Sequence, residues 1–129
     1  MRFMMFMLPA SYDEPTEADV RPMMAYNEEL TKAGVLLALD GLQPPEKGAR
    51  VTFAGGKPSV TDGPFAEAKE VIGGYWIIQA KSKDEAVEWA SRCPAGPGDT
   101  IEVRQVFEVD DFDMDVPELS KTPPEQTSA

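Results

Sequence analysis

Not one of the 129 residues is a histidine, and there is a single cysteine. Without an imidazole a serine nucleophile has no familiar general base, so triad-type hydrolysis is excluded. With one Cys and no His a structural zinc site is excluded as well. Cys93 cannot form an intrachain disulfide. Its setting in Arg92-Cys93-Pro94 reads as a buried small residue rather than a nucleophile, and a lone reduced thiol fits the cytoplasm. Positive charge is also scarce, with 12 Lys and Arg against 23 Asp and Glu for a net charge of −11. No basic stripe exists to release counterions from a phosphate backbone, which argues against nucleic acid as a partner. Anionic membrane surfaces are disfavoured for the same reason. The sequence has no phosphate-cradling Gly-Lys-Ser/Thr loop and no dinucleotide glycine fingerprint. Outside the C-terminal tail its carboxylates are too sparse for a Mg or Ca site. No cofactor and no metal are expected.

Long apolar runs are missing too. The opening stretch through Leu8 is short, has no small-residue cleavage site and runs into Tyr12-Asp13-Glu14, so it is expected to be a strand rather than a signal peptide or a membrane span. What is present suits one globular domain: 42% apolar residues in a chain of this length can bury a single core. The boundary is expected near residue 109. The segment 110–129 is Asp-, Pro- and Thr-rich and carries −5 of the net charge, so it reads as an acidic tail, mobile or lying over a neighbour.

Along the body, Arg-Phe-Met-Met-Phe-Met-Leu at residues 2–8 has no polar residue after Arg2, as a central strand covered on both faces would. A helix follows with Met23, Tyr26, Leu30 and Ala33 as its apolar stripe and Gly34 as its stop. Thr16 and Asp19 both qualify as its N-cap; Asp19 is favoured because it leaves Pro22 in the first turn. Residues 35–39 form a second strand, ended by Gly41-Leu42-Gln43-Pro44-Pro45. Segments 50–53 and 58–61 flank Ala54-Gly55-Gly56-Lys57 as a small hairpin, its two glycines at positive φ. Residues 65–70 are expected to make one helical turn. Residues 71–80 are a long strand with Ile72, Trp76 and Ile78 on one face and Tyr75 and Ile77 on the other. Ser82 and Glu85 form a capping box for a second helix with Ala86, Val87, Trp89 and Ala90 buried, and Pro94 ends it. Residues 101–109 alternate as a half-exposed edge strand. The order strand, helix, strand, hairpin, strand, helix, strand is the split βαβ arrangement of a ferredoxin-like α+β domain. It places the first and third main strands at the centre and both helices on one face of an antiparallel sheet. The other face keeps about half of the central strands' apolar residues, and a symmetric homodimer with two sheets facing each other in a barrel-like interior would cover it.

Asp62-Gly63-Pro64-Phe65, with Ala33-Gly34-Val35, Gly41-Leu42-Gln43-Pro44-Pro45, Gly73-Gly74-Tyr75, Glu85-Ala86-Val87-Glu88-Trp89-Ala90 and Cys93-Pro94, resembles the DGPF-domain branch of the YCII-related family over most of the chain. The resemblance implies a dimeric α+β barrel with an active-site cleft near the subunit interface. Many YCII-related proteins present a His-Asp pair for acid-base work, and this chain has no histidine to fill that role. Relatives encoded beside extracytoplasmic-function sigma factors imply such a factor as a partner in an alternative, non-catalytic interaction role.

The candidate site gathers around this turn. Asp62 serves either as an Asx-turn acceptor or as a general base held in the cleft. Lys69 is its catalytic companion as an anion clamp, or part of a solvated face with Glu67 and Glu70. Gly63 and Pro64 shape the turn, and Phe65 plugs or walls the cleft. Gly73-Gly74 at the head of a strand implies that a partner strand, a bulge or a ligand approaches the backbone. Tyr75 and Tyr26 either place hydroxyls into that space as ligand contacts or serve as core rings. Arg104 would meet a bound carboxylate if its row turned inward. The ligand of such a cleft is a small molecule.

Overall fold

In the computed structural model, which describes residues 1–11, 15–63 and 71–112, the strand apolar on both faces lies in the middle of the sheet. This is β1 (Arg2–Leu8). The other elements in chain order are α1 (Glu17–Lys32), β2 (Leu36–Gly41), a 3-10 turn (Pro45–Lys47), β3 (Ala49–Ala54), β4 (Lys57–Asp62), β5 (Gly74–Gln79), α2 (Lys83–Ser91), β6 (Thr100–Gln105) and a second 3-10 turn (Val109–Asp111). Four strands form an antiparallel sheet in the order β2-β5-β1-β6, so the two central strands are the two that read as apolar on both sides. With two helices packed on one face, the molecule is of the α+β class. β3 and β4 pair separately as a two-stranded sheet.

Cross-strand pairing fixes which side chains share a face. Phe3 lies opposite Ile78 and Met5 opposite Trp76, and these four are buried together with Tyr26 and Leu30 of α1 and Ala86 of α2. The Tyr26 ring stands edge-on to Trp76, with centroids 5.9 Å apart, the arrangement that the ring quadrupoles favour. Met4, Phe6, Ala38 and Ile77 occupy the other face. Among the described residues, neither helix contributes to that side.

Several boundaries differ from expectation. α1 begins at Thr16 rather than Asp19 because the Asp19 carboxylate folds back and accepts from both the backbone N–H and the hydroxyl of Thr16, each at 2.9 Å. Pro22 therefore sits inside the helix rather than in its first turn. β2 begins one residue later and ends two residues later than residues 35–39 and carries a register shift between Leu36 and Ala38. This bulge turns Leu36 and Leu39 toward the same face, opposite Ile78 and Trp76. β5 begins at Gly74, not at residue 71. β6 ends at Gln105, short of residue 109, and Phe107 beyond it is 72% exposed. In α2 Ser82 accepts from the Glu85 N–H at 3.1 Å, and the Glu85 carboxylate accepts from Lys81 N–H. Val87 does not join the buried stripe and is 44% exposed. The helical turn expected at residues 65–70 and the tail beyond residue 112 lie outside the described residues.

Candidate functional site

The candidate site begins where β4 hands the chain to the Asp-Gly turn. Asp62 pairs with Ala49 at the base of the hairpin and is exposed. Gly63 follows, its N–H donating to the Gly48 carbonyl at 3.0 Å. It packs so closely on the 3-10 turn that a Cβ at this position would collide with the Pro45 carbonyl, 2.7 Å from its carbon. Only glycine fits there, which fixes the turn against Pro45. Pro64, Phe65, Glu67 and Lys69 lie outside the described residues. Beside the locked turn, Leu42, Pro44, Pro45 and Ile72 form apolar walls of an open pocket of about 530 Å³, and Lys47 and Arg50 add two positive charges to its lining.

The Gly73-Gly74 pair answers to neighbouring backbone. A Cβ on Gly74 would come within 2.9 Å of the Asp40 carbonyl oxygen and 3.3 Å of Gly41 Cα, and one on Gly73 would meet the Pro9 ring at 3.0 Å. Gly74 lies opposite Gly41, so a partner strand is what approaches. Strand alternation then sends Tyr75 to the helix-free face, where its hydroxyl donates to the Asp40 carboxylate at 2.7 Å. That hydrogen bond raises the Tyr75 pKa. The Tyr26 hydroxyl is directed elsewhere and donates to the Trp89 carbonyl at 2.7 Å, tying α1 to α2. Burial raises its pKa strongly. Tyr26 and Tyr75 are thus not brought together, and Arg104 is exposed on the helix-free face beside Glu102 at 4.0 Å.

Two groups missed in the sequence lie on the helix side of the same sheet end. The Trp76 indole N–H donates to the side-chain amide oxygen (Oδ1) of Asn27 at 2.8 Å. Asn27, Met7, Met23, Leu39 and Trp76 border a cavity of about 200 Å³ together with Gly41 and Gly74. The available signal was the spacing of Tyr26 and Asn27, which puts a polar amide at the edge of the apolar stripe of α1. Among the described residues no three His, Cys, Asp or Glu side chains converge as a metal site requires, and no helix is long and apolar enough to cross a membrane.

The YCII-related domain profile matches residues 1–110. The chain belongs to the YCII-related family. An uncharacterised protein of Rhizobium meliloti (strain 1021) is 35% identical over 77 residues, which are 60% of this chain and 62% of that relative. The chain therefore spans less than two thirds of the relative it matches.

Proposed function

We propose that this YCII-related protein is of the DGPF type: a ferredoxin-like domain that pairs through its helix-free sheet face into a dimeric barrel and binds a small organic anion in the pocket beside Asp62 and Gly63. The observation that carries this reading is the locking of Gly63 onto Pro45, a residue that itself lines an open pocket with apolar walls whose charged lining, among the described residues, consists of two cations. A mostly apolar concavity with a few placed polar groups is the usual form of a ligand site. In a protein of net charge −11, Lys47 in the pocket lining favours a carboxylate over a neutral ligand of the same shape. In this reading Asp62 serves as the general base, and Lys69 is the residue assigned to hold the anion.

Thermal-shift and calorimetric titration with a panel of monocyclic and short-chain carboxylic acids tests this. At least one acid is expected to bind the wild type, and Lys47→Ala is expected to weaken it about tenfold, the loss of one charge-assisted contact. Asp62→Asn is expected to leave binding intact and to abolish any turnover. Absence of binding across the panel, or equal binding by Lys47→Ala, would overturn the reading.

A further inference from the structure

We infer that the cavity between α1 and the end of the sheet is a second binding site, separate from the pocket beside Asp62, for a small uncharged molecule bearing one hydrogen-bond acceptor. Its origin is a gap in side chains. Gly41 and Gly74 lie opposite each other on the face that carries Leu39 and Trp76. The sheet therefore presents no side chain from either strand where α1 passes over it with Met23 and Asn27. The resulting volume of about 200 Å³ exceeds that of an engineered apolar cavity, about 150 Å³, that takes up benzene.

The walls state the chemistry. Met7, Met23, Leu39 and the Trp76 ring are apolar and, in the case of the methionines, adaptable. One directed polar group interrupts them. Because an indole N–H can only donate, the 2.8 Å contact with Trp76 fixes the Asn27 oxygen on that side and leaves its amide N–H₂ as the donor edge at the cavity wall. A ligand with a carbonyl or ether oxygen meets that edge. The net charge of −11 repels an anion. Cβ placement provides an unusual control: at Gly41 a Cβ has nothing within 4 Å, whereas at Gly74 it would press on Asp40. A side chain added at Gly41 enters the cavity without disturbing the strand.

Acetophenone, toluene and benzoate serve as probes of one ring size, read by the Trp76 indole N–H resonance in two-dimensional NMR, assigned with a Trp89→Phe variant. Acetophenone is expected to shift that resonance saturably and to bind about fivefold more tightly than toluene, with benzoate giving no saturable shift. Gly41→Leu is expected to abolish the response while the spectrum stays dispersed. Asn27→Asp keeps the oxygen that Trp76 needs but removes the donors, and is expected to erase the preference for acetophenone over toluene. An indole shift equal in wild type and Gly41→Leu, or no saturable shift by either neutral probe, would overturn the site. Tightest binding by benzoate would overturn the ligand class. None of these results depends on the pocket beside Asp62.

Discussion

The thiol of Cys93 lies half-buried at the end of α2 and makes a 4.0 Å contact with the Met23 sulfur. Burial first, and the negative charge of Asp99 second, push its pKa up to about 11. At pH 8 this leaves about a hundredfold less thiolate than a thiol with the ordinary value near 9.0. The higher intrinsic nucleophilicity of a more basic thiolate offsets only part of that loss. Alkylation of the folded protein by iodoacetamide at pH 8 is therefore expected to be at least ~10-fold slower than that of the guanidinium-unfolded chain. Equal rates would show that the thiol is neither shielded nor shifted. The sign of the linked stability follows from a raised folded-state pKa. The contribution is fully present below about pH 9 and is lost as the pH climbs through about 11. Cys93→Ala is expected to remove that component from the pH dependence of the urea midpoint.

Within α1 the conflict lies at Pro22, the sixth residue of a helix that starts at Glu17. Proline there supplies no N–H for the Ala18 carbonyl and crowds it, at a cost of ~3 kcal/mol in a helix interior. Its restriction of the unfolded chain returns ~0.4–1 kcal/mol. Pro22 is exposed, so replacing it disturbs no packing. Pro22→Ala is expected to stabilise the protein by about 1–3 kcal/mol, seen as a higher urea midpoint at unchanged slope. A lower midpoint would mean that the fixed φ of proline is needed at this position. The sequence admitted both helix starts because Thr16 and Asp19 are both good caps, and only the folding of one onto the other decides. β1 and β5 could be read as central because their apolar residues do not alternate with polar ones. The ends of β5 and β6 could not be read, because they depend on where β1 runs out. Gln105 pairs with Phe3 and the Val106 N–H is taken by the Arg2 carbonyl, after which β1 has no backbone left to offer. The cavity beneath α1 was equally hidden, since it needs the cross-strand pairing of Gly41 with Gly74. Asp62, Gly63 and the glycine pair were visible as special positions, but their partners, Pro45 and the Asp40–Gly41 backbone, are brought near only by the fold.

For the whole molecule, the decisive feature is the sheet face that neither helix covers. Met4, Phe6, Leu8, Ala38 and Ile77 are only partly buried there, while Arg2 and Glu108 form a two-pronged ion pair at 2.8 and 3.2 Å. Arg2 holds the Glu108 carboxyl below its ordinary pKa, so this contact persists until the medium is acidic. Four strands of about six residues present on the order of 400 Å² in plan, short of the ~800 Å² per partner in a stable interface. The hairpin can supply the remainder. Val51 faces Val60 across it, and Phe53 and Val60 are 76% and 65% exposed, an apolar surface of the kind that marks an interaction site. Sedimentation equilibrium at micromolar concentration is expected to give twice the 14.1 kDa chain mass. Phe6→Glu sets two like charges against each other in an apolar interior and is expected to raise the dimer Kd at least ~100-fold. It should do so without unfolding the monomer, because Phe6 lies outside the helix-covered core. Phe53→Ser is expected to weaken the dimer by about tenfold if the hairpin reaches the partner. A wild-type protein that sediments as a monomer would refute the dimer, and a Phe53→Ser variant identical to wild type would confine the interface to the sheet.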